Sequence, residues 1–278
     1  MIKSSLNLFL FLILTQANSQ INLEKVNSND RPFILGKTDL IQSTILNESR
    51  TLNIYLPEGY SVDSAQTYPV IYLLDGSADE DFIHIAGLVQ FCNFEWVNSL
   101  PKSIIVGISN VDRKRDFTFP TTIEQDKIDY PTTGGSEKFI DFIAKELQPY
   151  IDKNYKTNSS KMLVGQSLGG LLATEILFKK NNLFSQYIIV SPSLWWDNGS
   201  LFQYTPTKFE TNISIHVSVG KEEKQMILQA KQLAKELMKL KSEKAKIAFE
   251  YLDDKNHGTI LHQADYNAFM WFSLQKVN

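Results

Sequence analysis

Short apolar runs recur along the second three-quarters of the chain, and most of them are apolar at consecutive positions. Pro69–Leu74, Ser103–Ile108, Met162–Val164, Tyr187–Val190, Ile213–Val219 and Ala248–Leu252 are of this kind. A strand that is apolar on both faces is covered on both faces, which is the situation of a parallel strand between helical layers. The intervening segments switch to helical spacing. Ser136 is placed to cap a helix through Phe139, Ile140, Phe142, Ile143 and Leu147, and a second helix starts at Leu171. An amphipathic helix from about Lys224 to Lys241 and a C-terminal helix from about Leu261 to Leu274 follow. A further helical segment is expected between Ser77 and about Ser99. Ahead of all this, Leu52, Ile54 and Leu56 alternate with polar or amphipathic residues. Ser43–Leu46, the turn Asn47–Glu48–Ser49 and Arg50–Pro57 are therefore read as an antiparallel hairpin. The pattern predicts an α/β protein with a mostly parallel, doubly wound sheet preceded by a hairpin. No repeat or low-complexity linker interrupts it, so residues 33–278 are taken as a single domain.

Composition narrows the partners. The 278 residues carry a formal net charge of −3, which gives no reason to expect nucleic acid. Met1–Ile2–Lys3, the apolar run Leu6–Leu14 and Ala17–Asn18–Ser19 have the layout of a secretory signal peptide. The run is too short to span a bilayer, which takes about 20 apolar residues. Cleavage is expected near Ser19–Gln20, giving a periplasmic or secreted protein not inserted in the membrane. Residues 20–32 are then a polar lead-in. Cys92 is the single cysteine, so an internal disulfide is excluded and the thiol is read as buried and structural. No His/Cys/Asp cluster has ligand spacing, and neither a metal nor an organic cofactor is expected. The polar stretch from Asn110 to Gly135 lacks periodicity and is read as a lid or binding loop.

Chemistry concentrates at Gly165–Gln166–Ser167–Leu168–Gly169, a G-x-S-x-G pentapeptide between the Met162–Val164 run and the helix from Leu171. Such a turn lifts the serine hydroxyl clear of the backbone above a helix N-terminus. A serine nucleophile needs a base, and the base needs an acid to hold its tautomer. Of the four histidines, His216 lies mid-strand, His262 within the last helix and His84 after Gly76, where it could line a pocket. His257 stands in the loop after the last strand, beside Gly258, and is the expected base. Glu222, Glu223, Asp253 and Asp254 compete as the acid, and Glu223, in the turn after Gly220, is the choice. The order Ser…acid…His is that of one serine-hydrolase architecture. Oxyanion donors are expected from the Leu168 backbone and from Gly76 or Ser77 after the Leu74 strand. Arg113 and Arg115 are either an anion clamp or braces to Asp112 and Asp116. Trp195 and Trp196 are candidates for a pocket floor, with one of them in the core.

Taken together, Tyr68–Gly76, Val106–Asn110 with Arg113–Thr118, Gly165–Gly170, Ser191–Trp196, Val219–Glu223 and His257–Gly258 resemble the esterase D-type branch of the α/β-hydrolases. The likeness runs from about Gly36 to the C-terminus. It is nearest to the siderophore (enterobactin-type) esterase-like subgroup, through the arginine loop and Ser193–Trp196. The resemblance implies an α/β-hydrolase fold and a serine ester hydrolase working through an acyl-enzyme on a small-molecule ester. Ser167 would be nucleophile, His257 base and Glu223 acid. Gln166 departs from the histidine that many relatives carry before the nucleophile, at a position outside the triad. An acyltransferase on the same fold, or a feruloyl or acetyl esterase of plant-wall polysaccharide, would present the same residues. A non-catalytic binding protein on this fold should lack a triad member, and this chain supplies all three.

Overall fold

The computed structural model describes residues 33–275, of which those from Leu35 onward form one compact unit. The expected signal peptide (1–19) and lead-in (20–32) lie outside the described residues. The first elements are β1 (Lys37–Ser43) and β2 (Glu48–Tyr55), paired antiparallel with Ser43 opposite Glu48. The hairpin is therefore where the sequence puts it, but its first arm lies earlier. Thr44–Leu46 join Asn47 in the turn rather than the first arm, and Glu48–Ser49 open the second arm, with Asn47 at φ 55°.

The sheet continues through β3 (Tyr68–Leu73), β4 (Ile104–Ile108), β5 (Thr157–Gln166), β6 (Gln186–Val190), β7 (Ile213–Gly220) and β8 (Ala245–Leu252). Spatial order is β1-β2-β4-β3-β5-β6-β7-β8, parallel from β4 onward, with β2 joining β4 antiparallel. Val70, Tyr72 and Leu74 belong to one apolar layer, while Ile71 and Leu73 belong to the other. This is the period-two alternation of a strand buried on both faces. On one side α1 (Phe82–Cys92) and α8 (Leu261–Leu274) pack together against the sheet. On the other lie α4 (Ser136–Phe142), α5 (Gln148–Asn154), α6 (Leu168–Lys179) and α7 (Lys224–Met238). Cys92 is buried in the first of these layers, as read.

Two stretches differ from the reading. The helix from Ser136 covers the stretch expected through Leu147, but its Ile143–Leu147 part is a π-helical turn that leads on into α5. Pro149, in the first turn of α5, has no N–H to give the preceding turn, which relieves the α-helical register there. The aperiodic segment after Asn110 contains α2 (Arg113–Phe117) and α3 (Glu124–Asp129), each too short to show a period. Among the described residues no helix is long and apolar enough to cross a membrane.

Candidate active site

The carboxyl ends of β3, β5 and β6 each finish in a residue with φ in the left-handed region: Asp75 (55°), Ser167 (60°) and Ser191 (43°). Each such residue costs about 1–3 kcal/mol, and such costs gather where geometry matters more than relaxation. β5 ends at Gln166 and α6 begins at Leu168, so Ser167 alone makes the turn, at φ 60° and ψ −120°. Gly165 is required for this. A Cβ there would lie 2.4 Å from the Gly169 carbonyl oxygen. A Cβ on Gly169 would meet nothing nearer than 3.4 Å, so the crowding sits at the first glycine of the pentapeptide.

β7 and β8 deliver the other two groups. His257 stands in the loop after β8, and its Nδ1 lies 2.9 Å from Glu222 Oε2. The acid beside the histidine is therefore Glu222, not Glu223. Glu223 caps α7 with its backbone and points to the solvent-exposed rim. Glu222 folds back instead: its Oε1 accepts from the Gly220 N–H at 3.2 Å and from the Ser191 hydroxyl. Its side chain is 2% exposed. Burial pushes its carboxyl up, but the His257, Ser191 and Gly220 hydrogen bonds outweigh this and hold it below the ordinary glutamate value. Asp253 and Asp254 lie on the exposed side of the β8 turn, where Asp254 pairs with Lys255.

Ser167, Ser193, Trp195, Glu222, Glu223, Asn256 and His257 line a cavity of about 560 Å³, together with Lys221 and Met226. The Ser167 hydroxyl is 3.4 Å from that of Ser193, whose own N–H donates to the Ser167 carbonyl at 3.0 Å. A smaller cavity of about 200 Å³ adjoins it, sharing Ser167, Ser193 and Trp195 and walled by Tyr130, Thr133 and Trp196. Ser167 is therefore open to both spaces. Trp195 is a wall of both spaces. Trp196 is the core member of the pair, 1% exposed, with its Nε1–H donating to the Phe119 carbonyl at 2.8 Å.

The loop after β3 is arranged differently from the reading. The Gly76 N–H is occupied by the Ile108 carbonyl at 3.0 Å, an extension of the β3–β4 ladder. Gly76 is needed for close approach, since a Cβ would sit 2.4 Å from Gly107 Cα. It is not the oxyanion donor. The Ser77 N–H instead faces an anion, the Glu80 carboxylate at 3.2 Å. The Leu168 N–H lies ahead of the first bond of α6, which runs from the Leu171 N–H to the Ser167 carbonyl.

Neither arginine is a free clamp. Arg113 Nε and Nη2 donate to both oxygens of Asp75 at 2.6 and 2.8 Å, and Nη2 reaches the Gln166 carbonyl at 3.4 Å. Arg113 lines the smaller cavity with its charge already matched. Arg115 lines neither cavity; it donates to Glu48 at 2.6 and 3.0 Å and to Asp116 at 2.8 Å. Arg50, fully buried, joins the same carboxylates and ties β2 to α2. Sequence reading missed Arg50, for which an arginine in an alternating strand was the available signal. It also missed Ser191 as the partner of Glu222, one strand along from Ser167. The remaining histidines are outside the site. His84 and His262 stack on each other, ring nitrogens 2.8 Å apart, and His216 is buried in β7 with its pKa lowered to about 4 by desolvation.

This architecture, with the serine turn between β5 and α6, is the α/β-hydrolase fold. The sequence matches the family Esterase, described as "Putative esterase", over residues 43–271. It is 31% identical over 186 residues to the "Ferri-bacillibactin esterase BesA" of Bacillus subtilis, a match covering 62% of this chain and 64% of that protein. The chain thus aligns with just under two thirds of that relative's length. An IroE-like serine hydrolase from Shewanella oneidensis superposes with a TM-score of 0.77 at 32% identity, covering 86% of this chain and 80% of the other. The BES protein of Bacillus cereus superposes at 0.76 with 26% identity, covering 89% and 98%.

Proposed function

We propose that this chain, which belongs to the Esterase family, is a serine ester hydrolase that cuts carboxylic esters through an acyl-enzyme. The observation that carries the reading is the convergence of Ser167, His257 and a buried, ionised Glu222 on one cavity. With Nδ1–H donated to Glu222, the His257 Nε2 is left to take the Ser167 proton as Oγ attacks the ester carbonyl. The oxyanion so formed is received by the Leu168 N–H, which lies ahead of the first bond of α6. Collapse breaks the C–O bond, and His257 returns its proton to the departing alkoxide. Water then repeats the sequence and releases the acid.

Siderophore-type esters are the proposed substrate class. The likeness to a ferri-bacillibactin esterase supports this, as do two cavities that share Ser167, with Trp195 as a wall of both. We place the protein outside the cytoplasm on the strength of the pattern in residues 1–19. The test is direct. Purified protein should hydrolyse p-nitrophenyl butyrate and be labelled at Ser167 by a fluorophosphonate, and Ser167→Ala should lose both. A screen of cyclic siderophore trilactones against feruloyl and acetyl esters should favour the trilactones. An inactive wild type that takes no label would refute the reading.

A further inference from the structure

Gln166 precedes the nucleophile and lies outside the triad, yet it makes a bond that crosses the site. Its side-chain amide donates from Nε2 to the backbone carbonyl of His257 at 2.5 Å. The loop that carries His257 is otherwise closed mostly on itself. The Asn256 N–H donates to the Thr259 hydroxyl at 3.0 Å, the Thr259 N–H to the Asn256 carbonyl at 3.1 Å, and the Gly258 N–H to the Asn256 side chain at 3.0 Å. Its backbone tie to the neighbouring strand is the Lys221 N–H donating to the Lys255 carbonyl at 2.6 Å, on the Glu222 side. Among the described residues, the hydrogen bond from the serine's turn to the histidine's loop is that of Gln166.

The other end of Gln166 is fixed as well. Its own carbonyl accepts from Arg113 Nη2, and Arg113 is held by both oxygens of Asp75 at the end of β3. Asp75, Arg113, Gln166 and His257 therefore form one connected path running from β3 through the nucleophile turn to the base. His257 itself is 43% exposed and gains little from packing. Its ring is held at Nδ1 by Glu222, which fixes a tautomer and one contact but leaves the loop backbone free to shift along the cavity wall.

We infer that Gln166 is a positioning residue, setting the distance between Ser167 and His257 by gripping the base through its backbone carbonyl. The inference rests on the esterase reading for its catalytic consequence. A displacement of about 1 Å between nucleophile and base costs orders of magnitude in rate without weakening substrate binding, so the effect belongs in kcat.

The experiment uses the full chain with Gln166→Met, which keeps length and removes the donor, and Gln166→His, which restores a ring N–H. Gln166→Glu is a second donor-free variant, nearly isosteric, should the methionine variant fold poorly. Expected for Met and Glu is a fall in kcat on p-nitrophenyl butyrate of about tenfold or more, with KM changed less than twofold. The thermal midpoint is expected to be kept, and the His257 ring resonances in a ¹⁵N-histidine-labelled sample should shift or broaden. The histidine variant should recover most of kcat and the wild-type ring signals. Wild-type kcat and unchanged His257 resonances in Gln166→Met would overturn the inference, as would a histidine variant no better than methionine. Should the wild type neither turn over esters nor label at Ser167, the esterase reading fails by that result alone. The ring resonances then still decide whether Gln166 positions His257.

Discussion

At the scale of single residues, the site turns on which of two neighbouring glutamates faces inward. Glu222 and Glu223 are equivalent in chemistry and nearly so in sequence position. Two residues after Gly220 the chain folds back far enough for a carboxylate to reach the Gly220 N–H. Three residues after, Glu223 is already the cap of α7, with its side chain exposed. Glu222→Gln should therefore lower kcat by about 10³–10⁴, as loss of the acid does in comparable triads. Glu223→Gln should stay within about threefold of wild type. Steady-state kinetics on one chromogenic ester checks both, and equal losses would return the assignment to Glu223. The folded chain likewise makes Gly76 a spacer rather than a donor and, of the two readings of Arg115, selects the brace to Asp116. In each case the polar group that sequence made available is already spent on a neighbour, the Ile108 carbonyl or Glu48 and Asp116.

Between elements, the turn from β5 into α6 is the part most legible beforehand, because its function demands a backbone that few sequences can adopt. Ser167 at φ 60° is strained, and the strain is held by packing around Gly165 and by the Ser167 N–H bonding to the Val190 carbonyl at 3.0 Å. The two glycines of the pentapeptide are not equal in this. Gly165→Ala drives a methyl to within 2.4 Å of the Gly169 carbonyl and should abolish both soluble expression and activity. Gly169→Ala places its methyl in ordinary contact distance of Asp75 and, in the first turn of α6, gains part of alanine's helix-propensity advantage over glycine. It should keep most of the wild-type kcat and melt no lower, which circular dichroism and ester turnover can check. The hairpin was legible from the alternation of Leu52, Ile54 and Leu56. Its exact arms were not, because β1 is largely exposed and Leu40 breaks the expected contrast. Helices α2 and α3 escaped for a simpler reason: five or six residues give no period to read.

For the molecule as a whole, the α1–α8 layer carries carboxyls that burial makes reluctant to ionise. Asp81, ahead of α1, is pushed up to about 6 by desolvation first and then by the charges of Asp75 and Glu80. Asp265 in α8 is fully buried with both oxygens unpartnered and is pushed well above the carboxylate range. A carboxyl whose folded value exceeds its unfolded one favours folding while both states hold the proton. That contribution is lost as pH rises from about the unfolded value of 3.8 through about 6. Asp81→Asn should accordingly raise stability at pH 7 by about 1–2 kcal/mol. Its melting curve should converge with that of wild type near pH 4, and a lower midpoint at pH 7 would contradict the assignment. Glu222 runs the opposite way: its lowered value stabilises the fold above the ordinary glutamate range and loses effect as pH falls below it.

Chain order and hydrophobic period determined the strand sequence, the two helical layers, the strand ends at which Ser167 and His257 stand, and the turn that presents the serine. These follow from rules local to a few residues: which runs are buried on both faces, where a helix begins, which backbone angles a glycine permits. Tertiary structure decided everything that depends on a polar group's partner. It chose Glu222 over Glu223 and tied Gln166 to His257. It matched Arg113 with Asp75, and it made Trp196 core while leaving Trp195 on the cavity wall. A polar group bonds to whichever partners lie within about 3 Å. At distances that short, residues 35, 38 or 91 positions apart in sequence compete on equal terms with neighbours, and only the folded chain settles the competition.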